Sequence, residues 1–129
     1  MTARPSVPVL VVDDDVNVAG LVGAVLRREG FEPTVLRDGR SALDHMATHE
    51  PATAVVLDVM LPYIDGFAVA AAIRADARWR NVPVVMLTAR SRPEDAERAR
   101  SLGVRAYLVK PFHPQALVAA VRGLPAGAG

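Results

Sequence analysis

The chain has 129 residues, 51% of them hydrophobic, a net charge of +1 and no cysteine. That length fits one domain, able to bury about two-thirds of its unfolded surface without a covalent staple. The missing cysteine excludes disulfides, thiolate chemistry and Cys-ligated metal. The near-neutral charge argues against bulk electrostatic binding to nucleic acid or membrane, and no apolar run approaches the ~20 residues needed to span a bilayer.

Met1 to Ser6 is a polar, proline-containing lead-in expected to fray, with no pattern of a secretory signal. Val7 to Val12 reads as a buried strand ending abruptly in Asp13-Asp14-Asp15. Val18, Leu21, Val22, Val25 and Leu26 then recur at helical spacing, closed by Arg27, Arg28 and Glu29, with Gly30 just beyond the end. Phe31 to Leu36 is a second strand, and Asp38-Gly39 a turn and N-cap. The helix that follows has Ala42, Leu43, Met46 and Ala47 as its inner face.

Pro51 breaks the chain before Ala54-Val55-Val56-Leu57-Asp58, an apolar run that leads straight into one carboxylate. Such a run, bounded by breakers, reads as a fully buried central strand. After Pro62, Asp65 caps a helix from Gly66 to about Asp76, with Phe67, Ala70, Ala71 and Ile73 among its apolar positions; Trp79 lies in the next connection. Val82 to Thr88 is the fourth strand, with Pro83 near its start. Ser91-Arg92-Pro93-Glu94 reads as a capping box containing proline, opening a helix that ends at Leu102-Gly103. Arg105 to Val109 is the fifth strand. Lys110-Pro111 follows, and Pro114 opens a last helix using Leu117, Val118 and Val121. The Pro125 to Gly129 tail is expected to be disordered, so the domain runs over 7–123, with flexible tails at 1–6 and 124–129.

Strands and helices alternate five times. That predicts an α/β, doubly wound (βα)5 architecture, a parallel sheet with helices on both faces. In such a sheet every strand points the same way, so the residues after the strands gather at one edge, where ligands bind. Here they are Asp13 and Asp14, Asp58, Thr88 and Lys110. Asp58 has three candidate roles there: helix cap, metal ligand or nucleophile. Clustered carboxylates repel and raise one another's pKa unless a cation sits among them. An all-oxygen set suits Mg²⁺, with Mn²⁺ as the alternative. A hydroxyl and an ammonium beside them complete a clamp for phosphoryl transfer, in which a carboxylate can be the nucleophile. Lys110 is the only lysine among fifteen basic residues. Arg-biased composition plus chance accounts for this more readily than a need for a compact point charge does.

These pieces, taken in order, resemble the receiver domain of two-component response regulators, the CheY-like family. The resemblance rests on Val11-Val12-Asp13-Asp14, Asp38-Gly39, Leu57-Asp58-Val59-Met60-Leu61-Pro62, Asp65-Gly66, Leu87-Thr88-Ala89, Gly103, Tyr107 and Lys110-Pro111-Phe112, and covers residues 7 to 123. It implies a flavodoxin-like, five-stranded parallel sheet of order 2-1-3-4-5. It implies that Asp58 accepts a phosphoryl group from a sensor histidine kinase or phosphotransfer protein. Asp13, Asp14, Asp58 and the Met60 carbonyl would hold Mg²⁺. Thr88, the Ala89 N–H and Lys110 would bind the phosphoryl oxygens. Thr88 and Tyr107 would form the switch, and Lys110-Pro111 would be a cis peptide. Met60 and Arg90 would tune the lifetime of the phosphate.

The resemblance further implies a cytoplasmic signalling protein that is not a multiple-turnover enzyme. Its output would pass through the fourth helix, fifth strand and fifth helix to a downstream protein target or an output domain outside this sequence, with no direct nucleic-acid or membrane binding by this chain. Receivers of the winged-helix DNA-binding subfamily pair through acidic residues on that face. Here the corresponding positions read Val104-Arg105-Ala106, Ala116 and Ala120, which argues against a salt-bridged dimer and leaves an Ala116, Ala119 and Ala120 stripe as a candidate helix dock. Two rival functions follow from the same residues. One is a phosphate-independent interaction module on the receiver fold. The other is a haloacid-dehalogenase-type phosphatase, opposed by the absence of any Asp or Glu after Glu97. His45 and His49 stand at a metal-capable spacing without a third ligand, and His113 is a poor residue for a helix N-cap.

Overall fold

The computed structural model describes residues 7–124. Its elements are β1 (Val7–Val12), α1 (Val16–Arg28), β2 (Phe31–Leu36), α2 (Gly39–Thr48), β3 (Ala54–Leu57), α3 (Gly66–Ala75), β4 (Val84–Thr88), α4 (Pro93–Ser101), β5 (Ala106–Val109) and α5 (Pro114–Arg122). The strands form one parallel sheet of order β2-β1-β3-β4-β5, as expected for the doubly wound class.

The two-residue period of the strands builds two cores. Leu10, Val12, Val55, Leu57, Val84 and Met86 face α2, α3 and α4. Val9, Val11, Ala54, Val56, Val85 and Leu87 face α1 and α5. Both faces are covered, so the inner strands β1, β3 and β4 are nearly continuous apolar runs, whereas the edge strand β2 alternates. Trp79 is fully buried from the α3–β4 connection, and its indole N–H donates to the Met46 carbonyl at 3.2 Å.

Several helix starts follow from local chemistry. Asp15, Asp38 and Asp65 each accept backbone N–H groups of the following turn, as N-caps do. The capping box expected at Ser91 does not form. Pro93 occupies the first turn of α4, Arg92 is the N-cap, and no side chain caps it. His113 likewise supplies no capping bond to α5. Strand ends shift slightly: β3 stops at Leu57, β4 begins after Pro83 because proline has no N–H for the ladder, and β5 begins at Ala106.

Some helical positions expected inside are outside. Leu21 is 53% exposed, and Ala47 and Ala71 are exposed as well. α1 carries apolar residues on nearly every side, so periodicity alone does not select its buried face. The alanine stripe of α5 is also not a free face, because Ala120 is buried in the core shared with α1. Leu124 is not a loose tail residue. Gly123 takes the left-handed conformation and the Leu124 N–H donates to the Ala119 carbonyl at 2.8 Å, ending α5. The expected tails at 1–6 and 125–129 lie outside the described residues.

Candidate phosphoacceptor site

The chain leaves β1 toward β2 on one side and β3 lies on the other, so the crevice between the ends of β1 and β3 is the switch point of the sheet. Register sets two carboxylates there. Val12 pairs with Leu57, and the next residues are Asp13 and Asp58. The backbone is tied at the same level, with the Asp58 N–H donating to the Val12 carbonyl and the Asp13 N–H to the Leu36 carbonyl, both at 3.0 Å.

Asp13 and Asp58 are 3% and 6% exposed, whereas Asp14 is exposed. One oxygen of each buried carboxylate accepts a backbone amide. Asp13 Oδ1 accepts the Asp15 N–H at 2.9 Å, and Asp58 Oδ1 accepts the Met60 N–H at 3.2 Å. The other oxygens meet one ammonium: Lys110 Nζ lies 3.0 Å from Asp13 Oδ2 and 3.1 Å from Asp58 Oδ2. Lys110 reaches them from the end of β5, where the Lys110–Pro111 peptide is cis and the Lys110 N–H donates to the Thr88 carbonyl at 2.8 Å.

Burial is the main cause that pushes the Asp13 carboxyl above its ordinary range. The Asp15 amide and Lys110 oppose that rise, and the field of Asp58 adds to it. For Lys110, burial opposes the charge. The bond to Asp13 and the field of Asp58 outweigh it, so the ammonium is held above its ordinary value. The site is thus a buried pair of acids held together by one cation, with a third acid at its mouth.

One carboxylate oxygen from each of Asp13, Asp14 and Asp58 lies within 4.8 Å of the others. Among the described residues this is the one group of acids or histidines so arranged. Three hard oxygen donors, with Asp13 strained by burial of its charge, fit a magnesium-type cation, which prefers oxygen ligands and keeps several waters. Met60, two residues after Asp58, is 56% exposed, in the loop that turns toward α3. That loop packs closely on the site, because a Cβ at Gly66 would collide with the Asp58 carbonyl.

Thr88 is fully buried at the end of β4, and its hydroxyl accepts the Arg90 N–H at 3.3 Å. Ala89 is exposed at the start of the β4–α4 connection. Tyr107, on β5, is partly buried, and its hydroxyl donates to the Arg90 carbonyl at 2.9 Å. All the candidate residues read from the strand ends therefore gather at one edge. Sequence reasoning missed Asp95. This acid in the first turn of α4 is 5% exposed and is gripped by Arg90 and Arg92. An acidic residue at a helix start is ordinary, and no spacing in the sequence marks this one. His45 and His49 do not present a metal site; their rings stack at 3.9 Å on α2.

The model of the response regulator receiver domain family matches residues 9–122. Among curated relatives, the DNA-binding response regulator MtrA of Mycolicibacterium paratuberculosis is 43% identical over 114 residues, covering 88% of this chain and 49% of the relative. The chain thus spans about half the length of the curated relatives it matches. Among solved structures, chemotaxis response regulator CheY4 of Vibrio cholerae superposes with a TM-score of 0.84 at 30% identity, covering 93% of this chain and 100% of that one. The receiver domain of sensor histidine kinase PA1611 from Pseudomonas aeruginosa, with a magnesium ion coordinated in its active site cleft, superposes with a TM-score of 0.82 at 30% identity, covering 92% of this chain and 96% of that one.

Proposed function

The chain belongs to the response regulator receiver domain family, and we propose that Asp58 is its phosphoacceptor, taking a phosphoryl group from a sensor histidine kinase or a phosphotransfer protein. One observation carries this reading: the buried Asp58 carboxylate at the switch point of the sheet, 3.1 Å from Lys110 Nζ and with the Asp13 and Asp14 oxygens beside it. An Asp58 oxygen attacks phosphorus in line. The P–N bond to the donor imidazole breaks, and the imidazole retains its electron pair and takes up a proton.

Asp13, Asp14, Asp58 and the Met60 carbonyl would hold Mg²⁺, with Mn²⁺ as the alternative. The cation supplies charge neutralisation for the incoming phosphoryl oxygens. Lys110, already placed between Asp13 and Asp58, neutralises a further oxygen, and Thr88 and the Ala89 N–H supply donors from β4. An aspartyl phosphate adds about two negative charges at this edge. Only an arrangement with Thr88 drawn toward Asp58 compensates them well, so the phosphate shifts the population toward it. Tyr107, whose hydroxyl partner lies two residues beyond Thr88, follows that movement.

The modified state would be read through α4, β5 and α5 by a downstream protein or an output domain outside this sequence. On this reading the chain works in the cytoplasm and assists its own phosphorylation and dephosphorylation without turning over a metabolite. Among the described residues no helix is long and apolar enough to cross a membrane. The test is intact mass after incubation with acetyl phosphate and Mg²⁺. One phosphate is expected on the wild type, with none on Asp58→Ala and none in EDTA. A phosphate that persists on Asp58→Ala would overturn the assignment.

A further inference from the structure

Sulfur chemistry in this chain is confined to methionine, because the chain has no cysteine. Met46 and Met86 are 3% and 0% exposed, inside the core that packs on α2, α3 and α4. A thioether in such a core meets a solute oxidant only when the fold opens. Met60 is 56% exposed. Among the described residues it therefore offers the one soft, oxidisable sulfur that faces solvent.

The position of Met60 gives that exposure a consequence. Its backbone N–H donates to Asp58 Oδ1 at 3.2 Å. The N–Cα bond adds about 1.5 Å, so the carbon that carries the thioether lies within about 5 Å of that carboxylate oxygen. The segment is tied on its other side as well, where the Val59 carbonyl accepts the Gly66 N–H at 2.8 Å. Around this carboxylate stand more acids, with one oxygen each from Asp13, Asp14 and Asp58 within 4.8 Å of the others.

We propose that the Met60 thioether is a modification site, oxidised to the sulfoxide by hydrogen peroxide, and that the sulfoxide lowers the phosphorylated fraction of the domain. The proposal rests on the phosphoacceptor reading of Asp58. In the oxidation the sulfur lone pair attacks one peroxide oxygen. An S–O bond forms, the O–O bond breaks, and the departing hydroxide takes up a proton and leaves as water. Sulfur is oxidised by two electrons and the peroxide is reduced by two. The product is a polar side chain that methionine sulfoxide reductases return to the thioether.

A sulfoxide oxygen accepts hydrogen bonds and donates none. Beside Asp58 it adds negative charge density where a phosphoryl group must bring about two more negative charges. It also holds water at the mouth of the site, which weakens the pull of Lys110 on phosphoryl oxygens. The two effects act in one direction. Transfer to Asp58 slows, and water stands closer to the acyl phosphate that it hydrolyses.

The full chain can be treated with hydrogen peroxide, digested and mapped by peptide mass. Met60 should form sulfoxide at least about tenfold faster than Met46 or Met86, which react only through opening of the fold. The treated chain is then given Mg²⁺ and acetyl phosphate below saturation, and the phosphorylated fraction is read by intact mass. That fraction should be at least about threefold lower than before treatment, the scale of one hydrogen bond at the transition state. Methionine sulfoxide reductase should restore it. Met60→Leu keeps the bulk and lacks the sulfur. Whatever its own untreated fraction, peroxide should leave that fraction unchanged.

Equal oxidation of Met46, Met86 and Met60, an unchanged fraction in the oxidised wild type, or an equal fall in Met60→Leu would each overturn the proposal. A wild type that takes up no phosphate before treatment would instead overturn the phosphoacceptor reading, and the effect of the sulfoxide with it, while the peptide map still decides the site of oxidation.

Discussion

Lys110 Nζ lies 3.1 Å from Asp58 Oδ2, and the same ammonium lies 3.0 Å from Asp13 Oδ2. One cation from the end of β5 thus neutralises two buried acids from the ends of β1 and β3, three elements far apart in the chain. Removing one partner of a buried pair leaves the other charge without compensation, which costs more than the pair's own net contribution. We predict that Lys110→Ala loses about 1–3 kcal/mol of stability at pH 7 without divalent cations. The loss should shrink in saturating Mg²⁺. Urea titrations of both proteins with and without Mg²⁺ check it, and equal stability in EDTA would contradict it.

Asp13 gives a pH dependence with a definite sign. Burial raises its pKa from the ordinary 3.8. Its stabilising contribution is therefore fully present below that ordinary value and is lost as pH rises through the raised folded value. At neutral pH the ionised Asp13 is a net cost, which a bound cation offsets. Asp13→Asn should raise the melting temperature at pH 7 in EDTA by about 3–6 °C, with the gain vanishing toward acid pH. Mg²⁺ at about 10 mM should raise the wild-type melting temperature by mass action and leave that of Asp13→Asn nearly unmoved.

The imidazole of His45 is held below its ordinary value of 6.5 by burial, and further by His49 stacked against it. A depressed imidazole means that the unfolded chain binds the proton more readily, so stability is lost as pH falls through the ordinary value toward the lowered one. Melting temperatures measured from pH 7.5 to 5 should fall less steeply for His45→Gln than for the wild type. Parallel profiles would contradict this.

Gly66 opens α3 directly beneath Asp58. Because a Cβ there would meet the Asp58 carbonyl and the Val59 backbone, the strain falls on main chain that cannot move aside cheaply. Gly66→Ala should cost about 3 kcal/mol and slow phosphorylation from acetyl phosphate, since it displaces Asp58 itself. Unfolding curves and the rate of mass increase test both parts.

The doubly wound class was legible because each buried strand is an apolar run ended by a residue with different chemistry, as Val9 to Val12 is by Asp13 and Ala54 to Leu57 by Asp58. The site was legible for the same reason, since parallel strands bring their ends together. The Asp95 cluster was not, because it depends on how the loop from Ala89 to Arg92 folds back onto the first turn of α4. The arginine bias was readable as a count but not as a cause.

The structure supplies a cause for part of that bias. Arg74 donates to the Leu102 and Gly103 carbonyls after α4, Arg78 to carbonyls at the end of α2, Arg105 to those of Ala120 and Val121 in α5, and Arg122 to that of Glu29 after α1. Helix C-termini leave several carbonyls without partners, and a planar fork can satisfy more than one of them while meeting the negative end of the helix dipole.

The central claim, that Asp58 is the acceptor, is tested most directly by locating the phosphate. The wild type would be phosphorylated with acetyl phosphate and Mg²⁺, reduced with borohydride, which converts an aspartyl phosphate to homoserine, and mapped by peptide mass. The account predicts homoserine at position 58 alone, and none when Mg²⁺ is withheld. Homoserine at another aspartate, or full modification without any divalent cation, would contradict it.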